Sequence, residues 1–313
     1  MISVFILLSC ATSPKLENFG GEDRADFSVL PSGAKVYLWA DVEKGRPLLD
    51  AVSFAGFDGK NSGDALDRTG IAVAALYPES AARRFFLAGW GKYPNVRAGM
   101  SMAFSRDWKK KKSASGGRYW FSKSLNLGVA LGPYLVFVSD GDPLERPAVA
   151  PDGAAVLNSV KSPPGFEEFR KPCVFAGFLP ESYDVVNRFA SAMDLPMQIP
   201  AKEFFFGASR IPGDEVKWEP LFCMQFASEN EAKGLFNLLI LARMFMNAQS
   251  AAAVATATAA GSGLASVSAV TAAFLLPLIF ENEPELSGRN ITLRMTPMTT
   301  EELSLLFHIF SVY

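Results

Sequence analysis

Gly177-Phe178-Leu179-Pro180-Glu181-Ser182 echoes an earlier stretch of the same chain, Ala75-Leu76-Tyr77-Pro78-Glu79-Ser80. In both, an apolar run meets a proline at what reads as the first turn of a helix, where its missing N–H leaves no bond unmade. Each matched strand and helix then leads into two further strands. The pair reads as a duplication of βαββ-type units, against the plainer alternative of chance similarity at a Pro-Glu-Ser helix start. Residues 173–297 taken alone have the order βαββαβ, which is that of a ferredoxin-like, split βαβ arrangement. The expected fold class is α+β, with helices packed on an antiparallel sheet.

Working outward, Ala34 to Asp41 reads as a strand, Glu43 to Phe57 as a short helix and Ile71 to Tyr77 as a buried strand. The helix opened by Pro78 is expected to run to about Trp90. Val96, Ala98, Met100, Met102 and Phe104 alternate with smaller or polar residues and predict a half-buried strand. Trp108 and Lys109 to Lys112, with Ser113 to Gly117, predict a charged hairpin tip. Its return strand is expected over Arg118 to Leu131, and another over Tyr134 to Ser139. Asp140 to Pro164, with five prolines, is the candidate boundary between a first unit at 31–150 and a second at 165–313. In the second unit, strands are expected at Cys173 to Leu179, Lys202 to Arg210, Val216 to Ala227 and Asn290 to Pro297. A helix follows Pro180, and Ser228/Glu231 and Thr299/Glu302 stand at the capping-box spacing that starts two more.

The 313 residues carry 30 Lys plus Arg against 32 Asp plus Glu, so no global field draws the chain to nucleic acid. Histidine occurs once, as His308, which removes Ser-His-Asp and Cys-His chemistry and most catalytic zinc sites from consideration. Its place in Leu305-Leu306-Phe307-His308-Ile309-Phe310 reads as helix packing. There is no GxxxxGK[ST] loop, Gly56, Gly59 and Gly63 lack dinucleotide-binding spacing, and Asp58, Asp64 and Asp67 lack that of an EF-hand. No catalytic residue, cofactor or metal is expected.

Met1 to Cys10 is an apolar run that ends in Leu7-Leu8-Ser9-Cys10 and turns polar at Ala11-Thr12-Ser13. This stretch resembles a lipobox, the signal of bacterial lipoproteins. The resemblance implies that residues 1–9 are a signal peptide, removed, and that Cys10 carries the lipid anchor, with acyl chains such as palmitate. No Lys or Arg precedes Cys10, and the expectation is that the signal peptide is truncated at its start. Residues 10–30, rich in Gly, Asn, Glu and Lys from Ser13 to Asp26, read as the anchor and a flexible tether. A buried N-terminal strand that happens to end in Cys is the alternative. Within the lipoprotein family Asp after the cysteine commonly marks inner-membrane retention; Ala11 stands here, so the resemblance leans toward the outer membrane or periplasmic face of the cell envelope. Cys173 and Cys223 could pair in such a compartment, but both fall in expected strands and read as packing thiols.

No charged residue occurs between Arg243 and Glu281. Within the helical insertion 246–280, Leu264, Val267, Val270, Phe274 and Leu278 recur at helical spacing, largely opposite Ser262, Ser266, Ala269 and Ala273. The stretch is short, diluted by Ser and Thr and interrupted by Pro277, which argues against a transmembrane span. It reads either as a core helical hairpin turning at Gly261-Ser262-Gly263 or as an amphipathic helix in a membrane interface, similar to the lipid-packing-sensor class. Lys109, Lys110, Lys111 and Lys112 beside Trp108 read either as a solvated turn or as a contact for anionic headgroups.

Together these features describe an envelope lipoprotein, non-enzymatic, whose partner is membrane lipid met through 246–280 with help from the lysine run. The general cast is similar to that of spirochaetal envelope lipoproteins. Two alternatives stand beside it: a binding module for a protein partner or an apolar ligand, and a histidine-independent carboxylate enzyme.

Overall fold

In a computed structural model of the chain, the structure describes residues 27–304 apart from 52, 55–56, 59–62, 78–83, 133, 146–159, 181, 183–186, 188–197, 214–215 and 257–281. Cys10, the signal and anchor residues, Leu264, Val267, Val270, Phe274, Leu278 and His308 therefore lie outside the described residues, as does most of the helix expected after Pro180.

The strands of the first half are β1 (Val36–Asp41), β2 (Ser53–Phe54), β3 (Phe57–Asp58), β4 (Thr69–Leu76), β5 (Phe85–Gly91), β6 (Trp108–Lys112), β7 (Arg118–Ser122), β8 (Leu127–Leu131) and β9 (Leu135–Ser139). Helices α1 (Arg46–Ala51), α2 (Gly63–Leu66) and α3 (Asn95–Phe104) lie among them. The second half adds α4 (Phe166–Arg170), β10 (Phe175–Leu179), β11 (Ala201–Ile211), β12 (Lys217–Phe226), α5 (Glu229–Thr256), β13 (Glu285–Ser287), β14 (Asn290–Arg294) and β15 (Met298–Thr299).

The class is α+β, dominated by one 13-stranded sheet in the order β13-β14-β12-β11-β10-β1-β4-β5-β9-β8-β7-β6, with β15 also on β12. Both halves contribute to it and meet where β1 pairs with β10. The second half is not arranged as a split βαβ. β10, β11, β12 and β14 lie side by side in chain order with every pairing antiparallel, a meander, whereas a ferredoxin-like sheet needs parallel central strands.

Phe204-Phe205-Phe206 shows how the sequence serves this sheet. Period-two alternation sends Phe205 to one face and its neighbours to the other, and an apolar run of this kind suits a strand covered on both sides. On the first face Tyr37, Phe178 and Phe205 share a row with Phe86, and Phe27 and Phe166 close over them. Phe27 and Leu30 are buried in this core, so the folded body already begins inside the span read as a tether. On the opposite face α5 seats Ala232 and Leu235 against Met224 and Ile291, while Leu48, Trp218, Met298 and Leu303 form a neighbouring cluster.

Four local expectations are corrected. Phe85–Gly91 is strand β5, not the end of a helix. Asn95–Phe104 is helix α3, not a strand. The lysines 109–112 run along strand β6 at the sheet's edge, and the turn lies beyond them at Ser113–Gly117. The single strand expected over 118–131 is two, β7 and β8, reversed through 123–126, where Asn126 takes a left-handed φ of 49°. In addition, the helix expected over 43–57 shortens to α1 and is followed by the β2–β3 pairing.

Candidate functional site

Successive antiparallel pairings from β5 through β9, β8 and β7 make β6 run parallel to β5. The chain must therefore travel back along the strands between them, and α3 is the crossover element. Pro94 precedes its first turn, where proline is tolerated. A crossover helix ordinarily buries a bulky stripe, yet no residue of α3 is buried. Ala98, Gly99 and Met102 are half-buried, while Val96, Met100 and Phe104 are 78%, 54% and 84% exposed. Those three stand four residues apart, one line along a helix. Three of the four large apolar side chains of α3 thus point outward, while Ala98, Gly99 and Met102 are partly covered.

From α3 the chain enters β6 through Asp107. Its carboxylate accepts hydrogen bonds from the hydroxyl of Ser122 and from the amide and hydroxyl of Ser124 at 3.1 and 2.8 Å. These bonds, that of Ser122 foremost, hold the Asp107 carboxyl below its ordinary range. They also tie the end of α3 to the β7–β8 turn, which carries Leu125, 63% exposed, so Phe104 and Leu125 collect at one end of the sheet.

β6 pairs with β7 in unbroken register from Trp108↔Ser122 to Lys112↔Arg118. Lys109 and Lys111 project to one face of the sheet, Lys110 and Lys112 to the other. The Lys110 ammonium lies 5.7 Å from the Trp120 ring and that of Lys111 3.5 Å from the Phe121 ring. Trp108 is half-buried at the start of the strand, and all four lysines are exposed.

A second outward apolar line runs along α5, where Leu238, Leu241 and Met244 are 48%, 54% and 67% exposed beyond the buried Ala232 and Leu235. Among the described residues no helix is long and apolar enough to cross a membrane. Among them also, no group of three or more His, Cys, Asp or Glu is placed to hold a metal ion.

Sequence reasoning found the lysine run but missed Val96, Met100 and Phe104 as an outward face. The usable signal was Pro94 at a helix start followed by small, helix-tolerant residues.

No protein-family model matches the chain, and no curated protein does. Solved structures do match, and they place the chain with an α+β fold already seen. Crystal form III of TP0453, a spirochaetal protein, superposes with a TM-score of 0.54 at 16% identity, covering 90% of this chain and 97% of that one. Crystal form I gives 0.54 at 16% identity over 91% and 98%.

Proposed function

We propose that the protein is a non-enzymatic envelope lipoprotein, anchored through Cys10, whose body makes a second contact with membrane lipid. The observation that carries this reading is the outward apolar line of α3, Val96, Met100 and Phe104. Large apolar side chains exposed in a row are what interfacial insertion uses, and a contiguous apolar surface marks an interaction site more often than scattered exposure does. Further along the chain Leu264, Val267, Val270, Phe274 and Leu278 recur in the sequence at helical spacing within the uncharged 246–280, and in this reading they add to the apolar contact. Lys109 to Lys112 add attraction to anionic headgroups within about a Debye length, roughly 10 Å at 0.1 M salt.

Flotation with vesicles of phosphatidylethanolamine and phosphatidylglycerol tests it, using the full chain with Cys10→Ser to remove the anchor. The unanchored chain is expected to float, and Met100→Asp with Phe104→Asp, or Phe274→Asp, to reduce flotation. Flotation at background, or variants that float equally well, overturns the reading.

A second reading has its own observation. Phe204 stacks on Phe206 and on Phe222 at centroid distances of 6.4 and 5.9 Å, and all three remain half-buried on one sheet face. Such a surface suits an apolar ligand. Lipid extracted from the purified protein in stoichiometric amount favours this alternative.

The finer reading of the fold is a duplication centred on the β1–β10 pair. β1, β4 and β5, then α3 and, after β6–β8, β9 beside β5 correspond to β10, β11 and β12, then α5 and, after β13, β14 beside β12. This correspondence sets β10 against β1, whereas the Pro-Glu-Ser match sets it against β4.

A further inference from the structure

We propose that the outer edge of β6 is a docking site for an extended, acidic segment of a protein partner, added to the sheet as one more strand. The inference shares Lys109–Lys112 with the membrane reading but needs neither Cys10 nor α3.

An edge strand exposes a row of backbone donors and acceptors, and proteins commonly blunt it by shortening it, bulging it or placing proline or lysine on it. The far edge, β13, is blunted by length, having only three residues. β6 has five residues in unbroken register and contains neither bulge nor proline. Among the described residues its lysines are its one protection, and two of them do not stand in front of the edge. Lys110 and Lys111 fold back over Trp120 and Phe121 of the neighbouring strand, one on each side of the sheet. The backbone rim is therefore left approachable while the positive charge stays beside it.

The charge is also unbalanced. Among the described residues none of Lys109–Lys112 forms an ion pair, and Lys112 sits directly opposite Arg118, a like-charged cross-strand pair that costs stability. Side chains of an added strand alternate between the two faces, as these lysines do. A strand with acids at successive positions would meet Lys109 and Lys111 on one face and Lys110 and Lys112 on the other. A planar surface laid against either face reaches only one of those pairs. The lysines then serve twice: they repel a second copy of the same edge and select a partner of opposite charge.

The test uses the full chain and three blocked peptides, followed by titration calorimetry and tryptophan fluorescence from Trp108 and Trp120. The probe is Thr-Glu-Glu-Glu-Glu-Thr; one control is the same peptide N-methylated at alternate amides, the other replaces Glu with Lys. Saturable binding of the probe is expected, at least about tenfold weaker after N-methylation because backbone bonds are lost, and absent for the lysine peptide. Lys110→Glu with Lys111→Glu is expected to abolish probe binding with the near-ultraviolet dichroism unchanged. Equal affinity for the probe and its N-methylated form overturns strand addition and leaves charge attraction alone. No saturable binding up to about 1 mM overturns the site altogether. If the charge-reversed variant loses vesicle binding while the probe never binds the parent chain, the lysines serve lipid and the proposal is wrong, with the membrane reading untouched.

Discussion

The Tyr37 ring stacks on the Phe178 ring, centroids 5.1 Å apart, across the antiparallel pair that joins β1 to β10. Phe178 also meets Phe27 at 5.1 Å and Phe166 at 4.9 Å, edge to face. One aromatic cluster thus binds the first half of the sheet to the second. Phe178→Ala is expected to cost about 3–5 kcal/mol. Denaturation followed separately by Trp90 and Trp218 fluorescence, in single-tryptophan variants, should show both midpoints falling together. Two separated transitions would mean that the halves fold independently despite sharing this cluster.

Gly177, next to Phe178, faces the other side of the sheet. A Cβ there would come within 2.5 Å of the Phe206 ring and 2.8 Å of the Leu38 side chain. Gly177→Ala is therefore expected to destabilise by about 1–3 kcal/mol through overpacking. Adding Phe206→Leu, which removes the ring, should restore part of the loss; a double variant no more stable than Gly177→Ala would show that the ring is not the obstacle.

Burial pushes the Cys173 thiol up to about 12 and that of Cys223 up to about 11, and both cysteines are free. With Cys10→Ser removing the third thiol, neither should react measurably with a thiol reagent at pH 8 until the chain is unfolded. Because the native state holds these protons more tightly than the unfolded chain, whose thiols titrate near 8.5, stability is retained below that pH and declines as pH rises toward 11–12. Tyr93, also raised to about 12 by burial, acts in the same direction from its ordinary 10 upward. Urea midpoints at pH 8 and pH 10.5 measure the slope, and a flat or rising midpoint contradicts it.

Ser228 and Glu231 form the reciprocal cap of α5: the Glu231 amide donates to the Ser228 hydroxyl at 3.2 Å, and the Ser228 amide to the Glu231 carboxylate at 3.3 Å. Ser228→Ala should cost about 1 kcal/mol in a thermal or urea melt, and Ser228→Asp should cost less.

That cap was legible in the sequence, as was its counterpart at Thr299 and Glu302, because a local hydrogen-bond pattern needs only local residues. β1, β4, β10, β11 and β12 were legible for a similar reason, their apolar runs being long and rich in strand-forming residues. Order in the sheet was not, since a meander and a split βαβ can share one sequence of elements. β5 was lost by letting the helix expected after Pro78 run through Phe85–Gly91. Gly91 shows what that reading missed: a Cβ there would lie 1.8 Å from the Arg68 carbonyl oxygen, so the close approach of the end of β5 to the start of β4 requires glycine. α3 was lost because Val96, Met100 and Phe104 satisfy a period of two and a helical spacing of four equally well. Half of the candidate site, the lysines, was therefore readable, while the apolar half depended on telling a helix from a strand.

The reversed packing of α3 separates its apolar residues from the core in a measurable way. Phe104 is 84% exposed and Phe166 fully buried, although both are phenylalanines in short helices of the same protein. Phe166→Ala should cost about 3–5 kcal/mol, because it leaves a cavity among Phe27, Phe178 and Phe205. Phe104→Ser exchanges a ring that already faces water, so its effect on the urea midpoint should correspond to no more than about 0.5 kcal/mol. The same substitution should lower vesicle binding of the unanchored chain. A large loss of stability from Phe104→Ser would show that the ring is covered in solution, and the outward line of α3 would then be a packing surface. Unchanged stability with weakened flotation is the combination that a surface kept for lipid requires.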